Sequence, residues 1–223
     1  MFPGEGSTLR RYAARLSAAE INSSFHRPHR PSTYERWAAS VPEGFRFAVK
    51  LPKQITHERR LIDTVDLLDA FLAQAGALGP KLGVLLVQLP PSLQFQAEIA
   101  DRFFGALRDR HSPGIACEPR HASWFADEAD ERLAAFGVAR AAADPARVPR
   151  AGEPGGCSRM IYYRLHGSPR AYYSAYGADT LDRLADRFSG LPQSCGQAWC
   201  IFDNTTLGAA TANALELQER TGC

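Results

Sequence analysis

The chain has 223 residues, 45% of them apolar and 22% charged, which is ordinary globular composition and enough for a sizeable core. A formal charge of +2, from basic residues that are dispersed without an aromatic–basic stripe, argues against a nucleic-acid partner. No apolar run approaches the ~18–20 residues of a membrane span, and the N-terminus lacks the basic-then-apolar pattern of a secretory signal.

In chain order, Met1 to Gly6 is turn-like, and Ser7 or Thr8 suits the cap of a short helix through Leu16. Ala18 to Ser23 is a compositionally weak strand, followed by a helix opened by Pro31 and closed before Pro42. Phe45 to Leu51 alternates as a strand does. A long helix then runs from Asp63 or Thr64 past Leu78 to Gly79-Pro80. Leu82 to Leu89 is nearly all apolar, as a strand buried on both faces should be, and stops at Pro90-Pro91. A helix from about Gln96 to Arg108 precedes a short strand at Ile115 to Cys117, and Asp127 starts a helix through Phe136.

Val138 to Ala143 reads as a strand, and the Pro-, Arg- and Gly-rich stretch from Asp144 to Gly156 as a long loop. Met160 to His166 is a strand, Asp179 to Phe188 a helix, Ala198 to Phe202 the last strand, and Gly208 to Glu219 the final helix. Strand and helix alternate without a hairpin signal, so the class is α/β with parallel strands. The absence of any G-x-G-x-x-G or G-K-S/T motif favours a TIM-type (β/α) barrel over an open nucleotide-binding sheet, with seven recognisable parallel strands in a single domain over residues 1–223. The five cysteines are odd in number and show no C-x-x-C spacing, so they read as reduced thiols of a cytoplasmic protein.

Each strand ends in polar residues: Glu20 and Asn22, Lys50, Gln88, Glu118 with Arg120, Asp144, Arg164 with His166, and Asp203 with Asn204. In a parallel barrel these ends share one mouth, where barrel enzymes place their chemistry. Glu118 and Glu20 are candidate bases, His166 a candidate acid with a near-neutral intrinsic pKa, and Lys50 a candidate cationic catalyst. Arg120 and Arg164 suit a phosphate or carboxylate held by guanidinium forks, and Asn22, Gln88 and Asn204 add hydrogen-bonding positions. Structural pairing of Lys50 with Glu20, or of Arg164 with Glu118, is the competing account of the buried charges. Asp144 before Pro145 suits a turn, Asn204 a helix cap, and Trp124 either a ligand floor or a core anchor. No cofactor is predicted. A divalent metal is left open through Glu20, Glu118, Asp144 and His166, although no H-x-x-x-H or clustered carboxylate motif is present.

The motifs Glu20-Ile21-Asn22-Ser23-Ser24-Phe25, Phe45 to Lys50 with Thr56-His57, Val87-Gln88-Leu89-Pro90-Pro91, Glu118-Pro119-Arg120-His121-Ala122-Ser123-Trp124, Tyr163-Arg164-Leu165-His166-Gly167 and Phe202-Asp203-Asn204-Thr205 resemble, in the same order, the domain-of-unknown-function 72 family, the YecE-like proteins. The resemblance implies a TIM-type barrel and supplies no reaction. It adds Thr56 and His57 to the positions above and marks Glu20, Asn22, Lys50, Gln88, Glu118, Arg120, Trp124, Arg164, His166 and Asn204 as the family's characteristic polar and aromatic positions. Family members usually open with one more strand, so Met1-Phe2-Pro3-Gly4 resembles the tail of a missing first segment, and an exposed barrel edge is expected to allow oligomers. Three functions follow as alternatives: an enzyme acting on a small anionic or sugar-like substrate by acid–base chemistry or hydrolysis, a non-catalytic metabolite-binding barrel, and a metal-dependent phosphoesterase or nuclease.

Overall fold

The computed structural model describes residues 5–111 and 113–222. The turn expected at Met1 to Gly4, and Cys223, lie outside the described residues. The chain divides into two compact units, Met1–Trp124 and Phe125–Cys223.

The first unit runs α1 (Thr8–Ala13), β1 (Ala18–Ile21), α2 (Pro31–Ala39), β2 (Arg46–Lys50), α3 (Val65–Ala75), β3 (Leu82–Gln88), α4 (Ala97–Arg110) and β4 (Gly114–Glu118). The Ser7 hydroxyl caps α1 by accepting from the Arg10 amide at 3.2 Å. The long helix expected to reach Leu78 stops earlier: α3 ends at Ala75, and Gly76–Lys81 is a tighter 3₁₀ segment containing Pro80. Lys81 then joins α2 to the start of β3, its ammonium donating to the carbonyls of Ala38 and Val41, each at 2.6 Å. The four strands are parallel in the order β1-β2-β3-β4, with helical crossovers between them.

Register decides which side chains meet. Glu20 is level with Ala48, Lys50 with Leu86, Leu86 with Ala116, and Gln88 with Glu118. Side chains two apart on a strand share a face, so Glu20, Lys50, Gln88 and Glu118 all project from one face, at the C-terminal ends. Val49, Leu85, Val87, Ile115 and Cys117 occupy the other face and are fully buried, which explains why this sheet reads as continuous apolar runs.

The second unit runs α5 (Asp127–Ala135), β5 (Val138–Arg140), β6 (Ala142–Asp144), β7 (Gly155–Gly156), β8 (Met160–Leu165), α6 (Ala178–Ser189), β9 (Gln197–Phe202) and α7 (Ala209–Thr221). Two features depart from the sequence reading. The strand expected at Val138 to Ala143 is broken at Ala141 into β5 and β6. The stretch read as a loop closes with β7, paired antiparallel to β5, so the unit is not wholly parallel. β6, β8 and β9 form a parallel three-stranded sheet. One face carries Ala142, Tyr163, Leu165 and Phe202, packed with Leu181, Leu184 and Ala185 of α6 and Leu217 of α7. The opposite face carries Arg164, with His166 and Asp203 continuing its parity beyond the strand ends.

Pleat parity corrects one expectation outright. Asp144 is level with Leu165 and therefore lies on the helix-packed face, away from Arg164 and His166. Its carboxylate accepts from the Tyr176 hydroxyl at 2.7 Å, so it is a structural acceptor and does not join a metal-ligand set with His166.

A buried guanidinium, which sequence reasoning passed over, holds α5 to the rest of this unit. Arg140 is 1% exposed. It donates to both oxygens of Asp130 (2.6 and 3.2 Å) and to the carbonyls of Arg150 (3.0 Å) and Glu153 (3.1 Å). It also lies 5.0 Å from the Phe125 ring. A Cβ at residue 155 would stand 2.3 Å from the Arg140 guanidinium, which is why glycine occupies β7. Replacing Arg140 with Met removes the donor to Asp130 Oδ1 and to the Glu153 carbonyl, while Arg150 still reaches Asp130 Oδ2 and the Glu153 amide still reaches the Arg150 carbonyl. The expected loss is about 3–5 kcal/mol of unfolding free energy, measured by urea denaturation, and a change below about 1 kcal/mol would contradict this account.

Candidate functional site

In the first unit the site is built from the strand ends upward. Glu118, the last residue of β4, is 0% exposed. A buried carboxylate costs several kcal/mol unless its oxygens are satisfied, and here both are. Oε2 accepts from Gln88 Nε2 at 2.9 Å, and Oε1 accepts from Arg120 Nε at 2.8 Å and Nη2 at 2.5 Å. Glu118 was expected to serve as a base. Its bonded oxygens also orient Arg120, which remains half-buried with one side of its fork directed at Glu118.

Lys50 ends β2 with its ammonium 4.1 Å from the centroid of the Phe25 ring, a favourable placement for a cation largely withdrawn from water. The buried Ser24 hydroxyl donates to the Lys50 carbonyl at 2.6 Å, tying the turn after β1 to the end of β2. The chain then enters a π-helical turn, Gln54–Glu58, a rare element often found at functional sites. This turn carries Thr56 and His57. The Thr56 hydroxyl lies 2.8 Å from His57 Nδ1, and the imidazole meets Phe25 edge-on at 4.9 Å. Burial pushes the His57 imidazole below the usual histidine value, and the charges of Lys50 and Arg120 push it further. Two cations therefore act on one imidazole, which stays neutral at pH 7. Glu20 shares this face, and Asn22 follows it with its side-chain oxygen buried and without a hydrogen-bond partner among the described residues.

Trp124, expected either as a ligand floor or as an anchor, is the anchor. It is 1% exposed, donates its indole N–H to the Leu93 carbonyl at 2.9 Å and meets Phe95 edge-on, so its ring offers no face to a ligand.

In the second unit Asp203 is the organising carboxylate. It accepts from Arg164 Nη2 at 3.2 Å and from His166 Nδ1 at 3.1 Å. A carboxylate only accepts, so the His166 proton sits on Nδ1 in this contact. Arg164 thus has Asp203 as a carboxylate partner within the second unit. Asp203 was visible only as a polar strand end. The pairing of Leu165 with Phe202 sets it beside His166, but that register was not readable from composition. Asn204 is fully buried and donates to the Ser174 carbonyl (2.9 Å) and to Asn213 Oδ1 (3.0 Å). It fastens the segment after His166, and its Oδ1 is buried without a hydrogen-bond partner among the described residues.

Among the described residues no three His, Cys, Asp or Glu side chains group closely enough to hold a metal ion, and no helix is long and apolar enough to cross a membrane.

The model of a family described as "Protein of unknown function DUF72" matches residues 2–223. The UPF0759 protein YecE of Escherichia coli (strain K12) is 28% identical over 127 residues, 56% of this chain and 46% of YecE, so the chain spans about half the length of that relative. The UPF0759 protein YunF of Bacillus subtilis is 22% identical over an alignment of 240 residues, covering 95% of this chain and 85% of YunF. A crystal structure of a DUF72 family protein from Enterococcus faecalis superposes with a TM-score of 0.83 at 21% identity, over 97% of this chain and 89% of that one. A second, from Thermotoga maritima, gives 0.77 at 22% identity, over 93% and 85%. At these identities the likeness shows a shared α/β fold.

The convergence of Lys50 and Arg120 on His57 has a direct readout in the histidine NMR titration. His57 is expected to titrate below the ordinary value of about 6.5, and either Lys50→Met or Arg120→Met is expected to raise it. The sign for stability follows: the folded chain binds fewer protons here than the unfolded chain, so this contribution is full above the ordinary value and is lost as pH falls through it. A titration unmoved by both substitutions would contradict the geometry.

Proposed function

The chain belongs to the DUF72 family, and on that premise we propose that it is an enzyme acting on a small anionic or sugar-like substrate, by acid–base chemistry or hydrolysis at the C-terminal ends of its parallel strands. The observation that carries the reading is the placement of Lys50 and His57 against one ring, Phe25, in the unit where Glu118 holds Arg120. Two cations held in a partly desolvated place favour an anion such as a phosphate or carboxylate. A neutral imidazole beside that anion can accept a proton in the reaction. Glu118 and Gln88 serve this arrangement by fixing Arg120 and do not themselves transfer protons. Glu20 and Asn22 are proposed to bind the uncharged part of the substrate.

In the second unit His166 is proposed as a further acid–base group. Asp203 holds its Nδ1 proton, which assigns proton exchange to Nε2, the arrangement used wherever a carboxylate orients a catalytic imidazole. Arg164 shares the same carboxylate. The TIM-type barrel and the cytoplasmic location are carried as part of this proposal. Parallel strands with helical crossovers in both units support the first. The reduced thiols of Cys157, Cys195 and Cys200 support the second.

The same cations also suit a non-catalytic anion sensor, and turnover separates the two readings. Inorganic phosphate is expected to stabilise the wild-type chain by about 2.7 kcal/mol at a hundredfold excess over its Kd. Lys50→Met and Arg120→Met are each expected to weaken phosphate roughly tenfold or more, the value of one charge-assisted hydrogen bond. In a screen of phosphate esters and glycosides, His57→Gln or His166→Gln is expected to lower any turnover found by about 10²–10⁴-fold. Failure of phosphate and of simple carboxylates to stabilise the protein would count against an anionic substrate.

A further inference from the structure

Immediately after His166 the chain forms a short loop that is tightly fastened and yet presents large aromatic surface to solvent. Gly167 has φ +97°, and a Cβ there would stand 2.8 Å from the Ser174 carbonyl oxygen, so only glycine lets the two ends of the loop approach. The Gly167 amide donates to the Tyr176 hydroxyl at 2.8 Å, and the Arg170 amide to the Ser174 hydroxyl at 3.1 Å. Asn204 holds the Ser174 carbonyl from below. The Tyr172 amide donates to the His166 carbonyl, and the Thr206 amide donates to the Tyr172 carbonyl at 3.1 Å.

Tyr172 itself sits at φ +69°, a left-handed conformation that disfavours side chains with a Cβ. Its ring is 44% exposed and meets the His166 imidazole at 5.6 Å between centroids, 72° between planes. On the same loop, the Arg170 guanidinium lies 3.8 Å over the ring of Tyr173, the next residue in the chain after Tyr172. Among the described residues no carboxylate is in ion-pair distance of Arg170. An exposed ring beside an oriented imidazole, with an uncompensated guanidinium on the same loop, is chemistry for a ligand that has both a flat face and a negative charge.

We propose that the Gly167–Ser174 loop is a recognition platform for a phosphate ester bearing a planar ring, with the ring stacked on Tyr172 and the phosphate on Arg170. The platform lies wholly within the second unit. It would give the His166 reading a substrate class, but binding to it does not depend on turnover. Ring stacking on an aromatic side chain is worth roughly tenfold in affinity, and Arg170 supplies the charge.

Isothermal titration of the full chain with phenyl phosphate, inorganic phosphate and glucose 6-phosphate tests this. Wild-type protein is expected to bind phenyl phosphate roughly tenfold more tightly than either of the others. Tyr172→Gly relieves the backbone conformation, so its melting temperature is expected to be unchanged or higher, while the preference for phenyl phosphate falls to less than about twofold. Arg170→Gln is expected to weaken phenyl phosphate. Arg120→Met is expected to leave the ring preference intact, which separates failure of this platform from failure of the first anion site. Equal affinity for all three compounds would overturn the proposal. So would a ring preference that survives Tyr172→Gly or disappears with Arg120→Met, and so would a Tyr172→Gly protein that is clearly less stable, since Tyr172 would then be a packing residue.

Discussion

The carboxylate of Glu118 is the constraint around which the first unit's polar face is arranged. It is an acceptor-only group removed from water at the end of a strand whose other face is apolar. Such a group survives folding only where donors reach both oxygens. Gln88 can be one donor because β3 and β4 are paired with Gln88 level with Glu118. Arg120 can be the other because it lies two residues on and can turn its fork back. A slip of one residue between β3 and β4 would send the Gln88 amide to the opposite face and break its bond to the carboxylate. The bonds therefore specify register while they fix the direction of Arg120.

The same reasoning extends to neighbouring strands and to the second unit. Parallel pairing with period-two alternation carries Glu20 and Lys50 to the face that holds Glu118, and Ser24 closes the turn after β1 onto Lys50. The π-helical turn then places His57 where Lys50 and Arg120 act on it. In the second unit Asp203 takes the role of shared acceptor, joining Arg164 to His166. In both units a carboxylate acts by orienting a cation or an imidazole, and the side chains suited to meeting a ligand are the ones so oriented.

Much of this was legible in the sequence because buried parallel strands are apolar runs that stop at polar residues. The strand ends at Lys50, Gln88, Glu118 and His166 could be marked on that basis alone. Roles were less legible than positions. Glu118 reads as a base, but its burial and its bonds to Gln88 and Arg120 do not show in composition. Trp124 reads equally as a floor or an anchor until its indole is found bonded to Leu93. Asp144 sits at a strand end like the others, and only the pairing of β6 with β8 shows that its side chain leaves by the opposite face. The Gly155–Gly156 strand carries no strand propensity and exists because Arg140 needs the space that side chains would fill. Partner choice across strands depends on register, which single-strand composition does not encode, so Asp203 passed as a mere polar end.

The most direct measurement of the central claim is the NMR signal of the Arg120 side-chain Nε–H in the wild-type chain and in Glu118→Gln. Bonded to a buried carboxylate, this proton is expected to give a resolved resonance that exchanges slowly with water. In Glu118→Gln it is expected to lose that protection. A wild-type Arg120 signal that exchanges as fast as those of exposed arginines, or one unaltered by Glu118→Gln, would contradict the account.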